Sequence, residues 1–362
     1  MTRPPSHAAA GILSRRGLNP LWACDTLREV GDLTPFQGGG GWTEAHRVDK
    51  RAGKGGAFDM QLSRVHRSHP AVLLFEGYLA AVGLGTALLL LPWSSADGPL
   101  SLVDAIFTAT SAICVTGLIV VDTGSRFTAF GQGVILCMIQ IGGLGIMTVS
   151  VVLFRLVRRR IGFRQRMALQ ELFSHTPRTD IYQLLGSIVV FTVVAEGIGT
   201  LLFLAHWWQE MPFSRALAMA GFHAISAFCN AGFSLLSTSF TAYRDSLLLN
   251  VTASGLIILG GLGFPVVYEL WSLARKRAGE RLRMSVQTRA VLLTSGVLVV
   301  AGTAVFLATG GEAMGEDGTS ARVLASLFQS VTCRTAGFNT VEIGALNPTV
   351  LAFMIFLMFF GA

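Results

Sequence analysis

Three stretches of the chain share an ending that could do chemistry with bare backbone. They read Ser-Ala-Ile-Cys-Val-Thr-Gly-Leu at 111–118, Ser-Ala-Phe-Cys-Asn-Ala-Gly-Phe at 226–233 and Val-Thr-Cys-Arg-Thr-Ala-Gly-Phe at 331–338. The aligned glycines, Gly117, Gly232 and Gly337, stand 115 and 105 residues apart. Each closes an apolar run, 102–115, 216–228 and 323–332. Such a run is roughly half of what a helix needs to cross a hydrocarbon core about 30 Å thick. A half-helix that stops at membrane depth aims its partly negative C-terminal end at whatever lies there. Glycine at the following turn lets carbonyl oxygens approach an ion with no side chain in the way. The chemistry this favours is replacement of a monovalent cation's hydration shell by carbonyls, and it suits a phosphate or a sugar poorly.

Such loops need apolar helices to hold them, and the composition supplies these. The 362 residues are 52% hydrophobic and only 14% charged, against about 25% charged in soluble chains. Runs 130–154, 247–268 and 290–309 contain no charge. Spans are expected at 71–92, 130–154, 184–208, 247–268, 290–309 and from 348 to the end of the sequence. Gly-Gly-Leu-Gly recurs at 142–145 and 260–263, 25 and 28 residues after the first two aligned glycines. A repeat this long in a membrane chain indicates duplicated units packed about an axis. Each unit reads span, half-helix, glycine loop, span. Irregular backbone at membrane depth must line water or be buried in protein, so the loops should face a pore. The fold class expected is therefore an all-α membrane protein of repeated pore units. The units are bounded at 66–180, 181–289 and 290–362, after a polar segment 1–65.

The net charge of +7, from 28 basic and 21 acidic residues, points to topology rather than to nucleic acid. The basic residues sit beside the apolar runs instead of forming a stripe interleaved with aromatics. Arg155, Arg158, Arg159, Arg160, Arg164, Arg166 and Arg178 form one basic connection, and Arg275, Lys276, Arg277, Arg281, Arg283 and Arg289 form another. With Arg64 and Arg67 ahead of the first span, both connections and the N-terminus are placed in the cytoplasm. Trp93, Trp207 and Trp208 at the outer ends and Trp271 at an inner end fit an aromatic belt. Segment 1–65 has no apolar core of a signal peptide and too little apolar surface to order itself; Met60 is the alternative start. The five cysteines are an odd set without a CxxC pair and are expected as packed thiols.

The stretch 101–118, and likewise 334–340, resembles the pore segments of the Trk/Ktr/HKT superfamily of potassium transporters. The resemblance covers roughly 66–362 and is nearest the Ktr branch. It implies four units around a pseudo-fourfold axis, a homodimer of such pores in membrane lipid, and a cytoplasmic nucleotide-binding ring as regulatory partner. It carries the selectivity filter onto Val115, Thr116 and Gly117, onto Asn230, Ala231 and Gly232, and onto Thr335, Ala336 and Gly337. Potassium is then the transported ion, with no covalently bound cofactor and no nucleic acid partner, in a bacterial cytoplasmic membrane. Members that admit sodium often carry serine at the first filter glycine, and here Gly117 stands there. A sodium-permeable transporter is the alternative. About two and a half to three of the four units fit in 362 residues, so a fragment of a longer frame, non-conducting by itself, is also expected.

Arg334, next to the third filter stretch, would repel a cation on the axis. It is expected behind the loop, paired with a carboxylate or with carbonyls. Glu196, in the middle of its span, is the first candidate partner, with a Glu196–His223 pair as the alternative. Glu76 is expected to reach the interface or a neighbouring arginine. Leu169, Leu172 and Phe173 offer a short amphipathic face within 164–174, suited to lipid headgroups or to a cytoplasmic regulator. The Gly-Gly-Leu-Gly runs read as close-packing surfaces. No HExxH or GxSxG motif is present, and an enzyme is not expected.

Overall fold

A computed structural model of the chain describes residues 70–145, 181–274, 284–310 and 319–361. The polar segment 1–65, the first basic connection with its amphipathic stretch, and the second basic connection apart from Arg289 lie outside the described residues. Among the described residues the chain is helical, with one isolated bridge between Ser95 and Phe127.

The helices fall into three consecutive sets. The first is α1 (Pro70–Leu89), α2 (Leu102–Ile113), the short α3 (Thr123–Arg126) and α4 (Ala129–Leu144). The second is α5 (Ile181–Trp207), α6 (Phe213–Phe228), α7 (Leu247–Gly261) and α8 (Phe264–Ala274). The third is α9 (Val286–Thr309), α10 (Thr319–Thr332) and α11 (Pro348–Gly361). Hydroxyl caps set several of the starts. Ser101, Thr128, Ser246 and Ser285 each accept from a backbone N–H three residues on, which satisfies a donor the first turn leaves open.

In the first two sets the half-helix packs against both of its neighbours, α2 against α1 and α4 and α6 against α5 and α7; in the third, α10 packs against α9 and reaches α11 through Gln329 Nε2 on Met354 Sδ, and neighbouring sets meet where α4 touches α6 and α7 touches α10. Association in lipid depends on close packing more than on hydrophobic transfer, and the half-helices carry the small residues this needs. Ala105, Ala109 and Ala112 of α2, and Ala216, Ala220, Ala224 and Ala227 of α6, are all fully buried. Around α6 the core is aromatic: Phe203, Trp207, Phe240, Phe328 and Phe338 enclose it.

By length and composition, α9 and the segment Gly186–Trp207 of α5 can cross a membrane, and α7 with α8 makes a third candidate only as a bent pair. That bend corrects the expectation of one continuous span over 247–268. The two helices meet at 101°, because Gly263 adopts φ 77° just past the end of α7 and Pro265 follows it. A left-handed residue at this place ends a helix, and proline two residues on cannot rejoin the ladder. Beyond the bend, the Glu269 carboxylate accepts from Ser285 Oγ (2.6 Å), from Thr288 Oγ1 and from the Ser285 N–H, tying α8 to the start of α9. Two further expectations are corrected. Trp207 is buried beside His223 rather than placed in a belt, and Cys114 and Cys137 are exposed rather than packed.

Candidate functional site

Each half-helix ends in the same backbone figure. Val115, Asn230 and Thr335 have φ of 55°, 55° and 61°, and Gly117, Gly232 and Gly337 have φ of 77°, 68° and 79°. Thr116, Ala231 and Ala336 between them stay at negative φ. Left-handed conformation costs an L-residue roughly 1–2 kcal/mol, and for β-branched Val115 and Thr335 it is rare. It persists where surrounding bonds over-determine it.

Those bonds are present in all three loops. The N–H of Thr116 donates to Ser111 O (2.8 Å), that of Ala231 to Ser226 O (2.8 Å) and that of Ala336 to Thr332 O (3.0 Å). A hydroxyl at the end of each half-helix then holds the carbonyl just past the glycine. Ser111 Oγ donates to Leu118 O, Ser226 Oγ to Phe233 O and Thr332 Oγ1 to Phe338 O, each at 2.7 Å. These three hydroxyls were missed in the sequence. The glycine alignment sets Ser111 and Ser226 against Val331, and the third hydroxyl sits one place later. Ser226→Ala is expected to leave the buried Phe233 carbonyl without its partner and to cost about 1–3 kcal/mol, seen as a lowered midpoint in thermal unfolding of the purified protein.

The loops converge. A Cβ placed on Gly117 would lie 2.6 Å from Ala231 O and 3.2 Å from Gly232 Cα, and one on Gly232 would lie 2.9 Å from Gly337 Cα and 3.0 Å from Ala336 O. All nine expected filter residues are thus in three loops whose glycines follow one another in contact, first to second and second to third.

Beside the loops lies a cavity of about 640 Å³, lined by the three glycines and by polar groups including Asp122, Ser237, Asn339 and Glu342, with Arg244 at its wall. Its walls are laced across the sets. The Phe240 N–H donates to Asn339 O (2.9 Å) and the Asn339 N–H to Ser239 Oγ (3.1 Å). Asp122 accepts from the Ser125 N–H and Oγ. Partial burial pushes the Asp122 carboxyl up, but these bonds, with others from Ser237 and the Gly124 N–H, outweigh it and hold the group below the usual carboxylate range.

The outlying site residues are placed differently from one another. Arg334 packs against α7 and α11: its Nη2 lies 3.5 Å from the Cβ position of Gly261 on α7, and its Cγ 3.4 Å from that of Gly361 on α11. No ion pair joins it to Glu196 among the described residues. Glu196 is 7% exposed and accepts instead from Gln140 Nε2 at 3.0 Å. The alternative Glu196–His223 pair is not formed either. His223 is fully buried, with Nδ1 2.8 Å from Met219 O and Nε2 3.0 Å from Ser234 Oγ. Glu76 is exposed on α1.

A family model described as "TrkH: Cation transport protein" matches residues 69–362. Over 307 residues the chain is 38% identical to Ktr system potassium uptake protein B of Vibrio alginolyticus, covering 84% of this chain and 66% of that protein. It is 36% identical over 301 residues to the Bacillus subtilis protein of the same name, covering 82% and 66%. Over 298 residues it is 33% identical to potassium/sodium uptake protein NtpJ of Enterococcus hirae, covering 82% and 65%. The chain thus spans about two thirds of the length of these relatives. The crystal structure of the potassium transporter TrkH from Vibrio parahaemolyticus superposes with a TM-score of 0.55 at 19% identity, covering 79% of this chain and 54% of that one.

Proposed function

The chain belongs to the TrkH family of cation transport proteins, and on that premise we propose that it takes part in potassium uptake across a bacterial cytoplasmic membrane. The glycine loops are the selectivity filter. The observation that carries this reading is the contact of Gly117 with the second loop and of Gly232 with the third, which sets three carbonyl-bearing turns around one place. The half-helix C-termini add a field that favours a cation, each worth about 0.3–1 kcal/mol. The cavity is the vestibule from which a hydrated ion reaches the loops. Arg334 braces the third loop from behind, where its charge does not oppose the ion.

The family's four-unit ring, homodimer and nucleotide-binding regulatory ring are part of the same proposal, and what supports them is the likeness to Ktr system proteins. Sodium permeation is the second reading, favoured by the likeness to a potassium/sodium uptake protein. The two part on ion flux through the full-length protein in liposomes. Potassium flux well above sodium flux is expected, and Gly117→Ser should lower the potassium-to-sodium ratio by about tenfold. Equal flux of the two ions through the unaltered protein would refute the potassium reading.

A further inference from the structure

The two glycines of each Gly-Gly pair face different partners. Gly142 and Gly260 look back into their own sets: a Cβ on either would lie 2.1 Å from Ile113 O or 1.8 Å from Phe228 O, at the end of the half-helix just before it. Gly143 looks forward into the next set, whereas Gly261 faces both its own loop and the next one. A Cβ on Gly143 would lie 2.5 Å from Cys229 Sγ and 2.8 Å from Cys229 Cβ, and one on Gly261 would lie 3.4 Å from the Asn230 side chain of its own set and 3.5 Å from Arg334 Nη2 of the next. Cys229 and Arg334 hold the same place, three residues before a filter glycine and one residue before the left-handed Asn230 or Thr335. Gly143 of the first set is therefore the seat for Cys229, the residue from which the second set's loop departs.

Further contacts surround this seat. On α4, Gln140 lies three residues before Gly143, donates to Glu196 of α5 and lies 3.9 Å, through its Oε1, from Cys229 Sγ. Cys229 itself closes α6, its N–H donating to Ile225 O at 2.9 Å. Any shift of Cys229 must rotate the Asn230 and Ala231 peptides, and Ala231 O is the atom that lies against Gly117. We propose that Gly143 and Cys229 are positioning residues for ion selectivity, through which α4 of the first set fixes the loop of the second. The proposal rests on the reading of the loops as a filter.

The test is the potassium-to-sodium flux ratio of the full-length protein in liposomes. Gly143→Ala drives a methyl into the thiol and is expected to lower the ratio by about tenfold. Adding Cys229→Gly, which removes both clashing atoms, should restore it to within about twofold of the unaltered protein. Adding Cys114→Gly, at the same place in the first set, should not. An unchanged ratio in Gly143→Ala, or equal rescue by both cysteine variants, overturns the proposal. Should Gly143→Ala fail to accumulate, Cys229→Val enlarges the other side of the contact and must lower the ratio; an unchanged ratio there overturns it as well. Absence of potassium preference in the unaltered protein would instead be a failure of the filter reading.

Discussion

Under the proposed function, Gly232→Ala is expected to abolish potassium uptake, by at least about a hundredfold per molecule in the membrane. Gly232 is the middle of the three glycines, with another loop on either hand. The added methyl would meet Gly337 Cα at 2.9 Å, Ala336 O at 3.0 Å and Gly337 C at 3.3 Å. All three atoms are backbone, so no side chain can swing away. The residue also sits at φ 68°, where an L-side chain adds roughly 1–2 kcal/mol of strain. Relief requires the second and third loops to move apart, and a carbonyl displaced by even part of an ångström no longer replaces a water of hydration. The measurement is uptake in a potassium-dependent bacterial strain, divided by the amount of protein in the membrane fraction. Uptake near that of the unaltered protein would remove Gly232 from the conduction path.

Gly260→Ala should have the largest effect on stability, about 3 kcal/mol or more. Its methyl would fall 1.8 Å from Phe228 O and 2.9 Å from Phe228 C. Overlap of that kind can be relieved only by lifting α7 off the end of α6. Leu249, Ala253, Leu256 and Ile257 of α7 are buried in the aromatic core around α6, and they would be pulled out together. Gly255, on the same helix, supplies the control: nothing lies within 4 Å of its Cβ position, and alanine there should be neutral or slightly stabilising because glycine weakens a helix interior. Thermal unfolding in detergent compares the two. Equal midpoints for Gly260→Ala and Gly255→Ala would show that α7 does not rest on the Phe228 carbonyl.

The parts legible in the sequence are those where backbone conformation leaves one residue type. Gly117, Gly232 and Gly337 have positive φ and neighbouring backbone within about 3 Å, so glycine recurs and marks the repeat. The close-packing role of Gly-Gly-Leu-Gly was legible for the same reason, but the division of labour within it was not, since a string of glycines does not say which neighbour each one faces. The break after α7 carried its signal, Gly263 with Pro265, and was hidden by the unbroken hydrophobicity of 247–268. Pairings between helices leave no periodic trace. Arginine and histidine were the natural partners to name for Glu196, yet the neutral amide of Gln140 holds it. The bracing hydroxyls were obscured by a shift of one residue in the third set, which the helix absorbs by ending at Thr332.

The cavity beside the loops has a consequence for how membrane voltage is distributed. Its volume of about 640 Å³ is room for many waters. A water-filled volume of high dielectric sustains little electric field, so the potential stays nearly flat across it and drops over the low-dielectric stretch that follows. Under the proposed function, an ion in the vestibule has travelled only a small electrical distance. The work done by the membrane potential, about 2.3 kcal/mol per charge for each 100 mV, is then concentrated on the few residues from the left-handed Val115, Asn230 and Thr335 to their glycines, where the ion sheds its water.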